Sequence, residues 1–145
     1  MRAILDTNVL LGALISPHGS PDAIYRAWRA ARFDLVTSTA QIDELRRVSR
    51  YSKLKIILPA HRVGAMVNNM QRAIVLDALP PLPEGVEAND PNDGFLLAMA
   101  LAGEADYLVT GDRRAGLLQR GSIGRTRIVT PATFCAEALW ATRCN

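Results

Sequence analysis

Four acids, Asp6, Glu44, Asp93 and Asp112, stand where an apolar segment ends or a helix opens. Asp6 closes Ala3-Ile4-Leu5. Asp112 follows Tyr107-Leu108-Val109 across the turn Thr110-Gly111, Asp93 precedes the apolar run from Phe95 to Gly103, and Glu44 lies just over one helical turn beyond Ser38. Parallel strands would bring these positions to one rim, where carboxylates repel unless something positive lies between them. A hard divalent cation resolves that repulsion, because Mg2+ and Mn2+ prefer oxygen ligands. Other metal chemistry lacks ligands: His18 and His61 are isolated, and Cys135 and Cys144 carry no zinc spacing. If both cysteines sit on the last helix, they lie too far apart to bridge.

Each acid also has an ordinary reading. Asp6 suits the cap of a helix starting near Val9. Asp90 and Asp93 flank Pro91-Asn92, where Asp is common, and Asp112 after Gly111 suits a turn. Glu44 stands three residues before Arg47, the spacing of a helix ion pair. What raises the four above these readings is their joint convergence on one rim.

The elements that must position them alternate along the chain. Ala3-Ile4-Leu5 reads as a strand. Ser20-Pro21-Asp22 reads as a helix start with a capping hydroxyl and an early proline. Phe33 to Val36 reads as a second strand, and Ser38 with Gln41 as a capping box opening a helix through Ile42, Leu45 and Val48. Pro59 begins a helix carrying Val63, Met66, Val67, Met70 and Ile74 at helical spacing, with Ile74 to Leu79 able to fray into a strand. Pro80-Pro81-Leu82-Pro83 connects two halves of a single domain spanning 1–145. Phe95 to Gly103, apolar on every side, predicts a buried helix. Tyr107 to Val109 and Arg127 to Val129 are the remaining strands, and Thr130-Pro131 caps a last helix ending near Trp140. Short, wholly apolar strands alternating with helices are the pattern of a parallel sheet covered on both faces, and such sheets bind ligands at the strands' carboxyl ends.

The chain has 145 residues, 49% of them hydrophobic and 21% charged, with mean hydropathy +0.07. That composition excludes disorder and a membrane bundle. Asp6 interrupts the unbroken apolar stretch a secretory leader would need, so the expected location is cytoplasmic. The formal net charge is +3, and every cation except Lys53 and Lys55 is Arg. The planar Arg fork suits phosphate, although a solvated basic face would look the same.

With these residues in view, the chain resembles the PIN-domain nucleases. Asp6-Thr7-Asn8-Val9-Leu10 after an apolar strand is similar to that family's opening motif, and Glu44 in Ile42-Asp43-Glu44-Leu45 to its second acid. Asp93 in Asp90-Pro91-Asn92-Asp93, before Phe95-Leu96-Leu97-Ala98-Met99-Ala100, resembles the third. Ala105-Asp106-Tyr107-Leu108-Val109-Thr110-Gly111-Asp112 resembles the motif carrying the fourth. The ordered set covers essentially the whole chain.

The resemblance implies a three-layer α/β/α fold with a five-stranded parallel sheet. It also implies an Mg2+- or Mn2+-dependent hydrolase of single-stranded RNA, with Asp6, Glu44, Asp93 and Asp112 as both catalytic and metal-holding residues. Cleavage would leave a 5′-phosphate and a 3′-hydroxyl. The stretch from Asp90 to Asp112 is most similar to toxin components of toxin–antitoxin pairs, which implies an antitoxin partner and allows a homodimer. A housekeeping RNA-processing nuclease and a PIN-like interaction module without catalysis are the alternatives. Asn8, Asp90 and Thr110 are lesser candidates beside the acids, Asn8 as the residue that orients Asp6. Asp90 competes with Asp93, which alone stands directly at the helix start. Arg46, Arg47, Arg50, Arg113 and Arg114 are candidate contacts to flanking phosphates. Asp43 points away from Glu44's face, and Asp106, before its strand, is structural.

Two rivals with an acid after the first strand fit less well. A phosphatase of the haloacid dehalogenase type needs a second Asp where this chain has Asn8. Both it and a receiver domain need a late Lys, and none follows Lys55.

Overall fold

The computed structural model describes residues 1–88, 93–112 and 116–140. Strands β1 (Arg2–Leu5), β2 (Asp34–Ser38), β3 (Ile74–Leu76), β4 (Tyr107–Val109), β5 (Ser122–Ile123) and β6 (Thr126–Val129) form one sheet in the order β3-β2-β1-β4-β6-β5. β1 lies parallel between β2 and β4, with Ala3 opposite Leu35 and Leu5 opposite Val109. β2 pairs parallel with β3, and β4 with β6.

The chain builds outward from β1 to one side as β2 and β3, then returns to β1's other flank as β4. The sheet's topological switch point therefore lies between the carboxyl ends of β1 and β4.

Alternation along the central strands explains why their middles are apolar on both faces. Ala3, Leu5, Leu35, Val109 and Val129 face one core with Leu10, Ile24, Leu45, Met66 and Phe134. Ile4, Val36, Leu108 and Ile128 face a second core with Leu96, Leu97 and Met99. Helices α1 (Thr7–Ile15), α2 (Ser20–Arg29), α3 (Thr39–Ser49), α5 (Ala60–Met70) and α8 (Pro131–Phe134) supply the first. Helices α6 (Gly94–Ala102) and α7 (Leu117–Arg120) supply the second. α4 (Ser52–Ile57) buries no residue, and α8 continues as a π-helical segment, Cys135–Trp140. Among the described residues no helix is long and apolar enough to cross a membrane.

Several local expectations are corrected. The sheet has six strands and is mixed, because β5 pairs antiparallel with β6. Gly124, at φ +55°, allows the two-residue turn with Arg125 that joins them. The second strand begins at Asp34 and runs on to Ser38, so Ser38 ends β2 and caps α3 at once. The cap of α2 is Gly19 rather than Ser20, while Asp22 accepts from the His18 amide and pairs with Arg26.

Only half of the Ser38–Gln41 capping box forms. The Gln41 amide donates to Ser38 Oγ at 3.1 Å, but the Gln41 side chain accepts from Thr37 and donates 2.6 Å to the Leu5 carbonyl. It ties β1 to β2 instead of closing the box. Ile74 belongs to β3, outside the helix that Pro59 precedes. The wholly apolar helix α6 is present and buried, with Asp93 as its cap. Cys135 is buried and free; Cys144 lies outside the described residues.

Candidate active site

Asp6 sits at the switch point, and both of its backbone groups are occupied there. Its amide extends the β1–β4 ladder by donating 2.8 Å to the Val109 carbonyl, and its carbonyl accepts from the amides of Val9 and Leu10 to start α1. Its carboxylate makes no capping bond to the helix. The side chain turns instead to β4's end, where Thr110 Oγ1 donates to Asp6 Oδ2 at 2.8 Å. Asn8 Nδ2 approaches the same oxygen at 3.3 Å, and Asn8 Oδ1 accepts from the Gly111 amide at 3.1 Å. Asp6, Asn8, Gly111 and Thr110 thus close a ring across the β1–β4 crevice.

Burial raises the Asp6 carboxyl above its ordinary value. The Thr110 hydrogen bond and the nearby Thr7 and Asn8 amides work against that rise, and the charge of Glu44 adds to it.

The other acids reach this point from separate elements. Glu44, on α3, accepts a 2.6 Å hydrogen bond from Thr7 Oγ1. Arg47 lies at 4.0 Å from Glu44 and also donates to the Tyr51 hydroxyl, so the ordinary ion pair exists, but at its outer limit. The Asp112 amide donates 3.1 Å to Thr110 Oγ1. A single hydroxyl therefore touches both Asp6 and the Asp112 backbone.

Asp112 and Asn8 line a cleft of about 450 Å3 with Val9, Pro21, Gly111 and Pro131. Asp93 stands at the N-terminal cap position of α6, where its side chain makes no capping bond, and α6 runs antiparallel to the strands. The helix's far end meets the start of β1, where Arg2 donates to the Gly103 carbonyl, so Asp93 lies toward the carboxyl edge. Its Oδ2 oxygen is buried and accepts no hydrogen bond, although the residue is held by other neighbours.

Thr7, next to Asp6 in the chain, thus binds the Glu44 carboxylate, while the Thr110 hydroxyl binds both the Asp6 carboxylate and the Asp112 amide. Among the described residues no three acidic, His or Cys side chains stand close enough to hold a metal together. The donor chemistry still fits a hard cation: every candidate ligand is a carboxylate oxygen, and Asp6 already feels a second negative charge.

Asp90, Arg113 and Arg114 lie outside the described residues. Arg46 and Arg50 line a separate pocket between α3, α4 and α5, away from Glu44. Asp43 is exposed and lies 3.7 Å from Arg46. Asp106 stands at the opposite sheet edge, where the Arg2 amide and Arg125 bind its carboxylate and hold its pKa below the usual value. Thr7 is the site residue that sequence reasoning passed over. Its position, a hydroxyl directly after the strand-ending acid, was the available signal.

The sequence model of one protein family, the PIN domain, matches residues 2–114. That span includes all four acids and both threonines. No curated protein matches the chain.

Proposed function

The chain belongs to the PIN-domain family, and from that membership we propose that it is a metal-dependent endoribonuclease. PIN domains are generally nucleases, so the fold supplies a nuclease frame. The finer reading is hydrolysis of single-stranded RNA with Mg2+ or Mn2+, in the cytoplasm, as the toxin of a toxin–antitoxin pair. The observation that carries it is Asp6: a carboxylate buried at the switch point, raised chiefly by burial and further by Glu44, and bound across the β1–β4 crevice by Thr110.

Asp6, Glu44, Asp93 and Asp112 would hold the cation. When bound, the cation lowers the pKa of a water and offsets the charge that develops on the phosphate. The protein's own part is positional. Thr110 fixes the Asp6 carboxylate and the backbone entering Asp112, Asn8 ties Gly111 to the end of β1, and Thr7 holds Glu44 over the same corner. The cleft beside Asn8 and Asp112 gives a strand access. Ile56 and Ile57 of α4, 85% and 52% exposed, support a protein partner such as an antitoxin or a second copy of the chain.

The test is cleavage of a single-stranded RNA with Mn2+ by protein purified free of contaminating nuclease. Wild type should cleave, and Asp6→Asn or Asp112→Asn should lose at least a hundredfold in rate while keeping the fold. Growth arrest by wild type but not by Asp6→Asn would place the enzyme as a toxin; normal growth at high active-protein levels favours the housekeeping nuclease. Wild-type cleavage rates in both variants would refute the ligand assignment. A folded wild type without cleavage would favour the interaction module.

A further inference from the structure

Helices α3, α4 and α5 enclose a pocket of about 410 Å3, a size typical of small-molecule sites. Arg46, Ser49, Arg50 and Lys55 supply its polar side, and Leu58, Val63 and Val67 its apolar side. At 3.6 residues per turn, Arg46 and Arg50 lie roughly 200° and 240° around α3 from Glu44. The pocket therefore opens on the face of α3 away from the acid rim.

Its chemistry is one-sided. Among the described residues that line it there are three cations and no acid. Asp43 meets Arg46 only at 3.7 Å with both side chains largely exposed, a pairing too weak to compete with a ligand. Two guanidinium forks beside an ammonium suit a phosphate's oxygens. Leu58 and Val67, 6% and 5% exposed, form a floor that a bare phosphate would leave unused. The flat, weakly polar body of a nucleobase would cover it.

We propose that this pocket binds a nucleoside phosphate, either as a free nucleotide or as one link of an RNA strand. As a strand link it rests on the nuclease reading; as a free nucleotide it does not. Gly64 of α5 also lines the pocket, and a Cβ built there meets nothing within 4 Å. A larger side chain at that position can fill the space without disturbing the helix, which a residue other than glycine favours.

The experiment is isothermal titration calorimetry at low salt in EDTA, where no metal-dependent cleavage occurs. The probes are adenosine 5′-monophosphate, adenosine, inorganic phosphate, a short oligoribonucleotide and a glutamate peptide. The nucleotide should bind at least tenfold more tightly than adenosine or phosphate. Arg50→Ala/Lys55→Ala should weaken it about tenfold or more, Gly64→Leu should block it, and Asp6→Asn should bind as wild type does. Equal weakening of the oligoribonucleotide in the pocket variants identifies a strand link; weakening of the nucleotide alone identifies a free ligand. The proposal is overturned if adenosine or phosphate binds as tightly as the nucleotide. It is also overturned if the pocket variants all bind like wild type, or if the glutamate peptide binds best.

Discussion

Asp6 separates the duties of its backbone from those of its side chain. The amide continues a sheet ladder and the carbonyl starts a helix, while the carboxylate faces the crevice, where Thr110 donates to it. The arrangement has an energetic consequence. Because the folded-state pKa of Asp6 is raised, the native chain binds its proton more tightly than the unfolded chain does. The stability this provides is fully present below the ordinary value of 3.8 and is lost as pH rises from there toward the raised folded value. Asp6→Asn should therefore be more stable than wild type in EDTA at neutral pH. The gap should narrow as pH falls through that window, which melting curves across pH would measure. An Asp6→Asn variant less stable than wild type throughout would mean that the carboxylate serves the fold.

At this scale the sequence shows Asp6 and Asp112 plainly, because strand ends mark them, and Asp93 by the apolar helix that follows it. It does not show the two threonines as their connectors, since a hydroxyl beside an acid is common and only the folded register brings Thr110 to Asp6.

Elements meet the site through close approach. A Cβ added at Gly103, which ends α6, would stand 2.7 Å from Val36 Cγ1 and 3.0 Å from the Met99 carbonyl. Gly103 therefore lets α6 lie against β2, which in turn fixes the helix whose other end is Asp93. Gly103→Ala should cost about 1–3 kcal/mol by overpacking. In a domain of this size that lowers Tm by several degrees, and calorimetry would check it. No loss would mean that Val36 and α6 yield easily.

The apolar runs of β1, β4 and α6 are legible because burial on both faces of a strand, or all round a helix, leaves no polar interruption. β5 was not, since a two-residue strand has no periodicity and only Gly124-Arg125 marks its turn. α4 escaped for a related reason: it buries nothing, so no apolar stripe announces it. Gln41 misled the reading of its own box because tertiary partners at Leu5 and Thr37 outcompeted the local cap.

The whole molecule sets two chemistries on different faces. The sheet's carboxyl edge holds the Asp6 carboxylate and the Asp112 amide at the β1–β4 crevice, and the far side of α3 carries cations around an apolar pocket. The parallel run of the central strands, which the alternation of elements implies, and their order in the sheet create the first. The second depends on helix packing that no spacing in the sequence reveals. The central claim is that the acids act jointly on a divalent cation, and Mn2+ titration of thermal stability tests it most directly. A ligand that binds only the native state adds about 2.7 kcal/mol at a hundred times its Kd, or roughly 5–10 °C in Tm for a domain of this size. Wild type should show that rise from its EDTA baseline, while Asp6→Asn and Asp112→Asn should stay flat. A wild type indifferent to Mn2+, or variants that rise with it equally, would contradict the account.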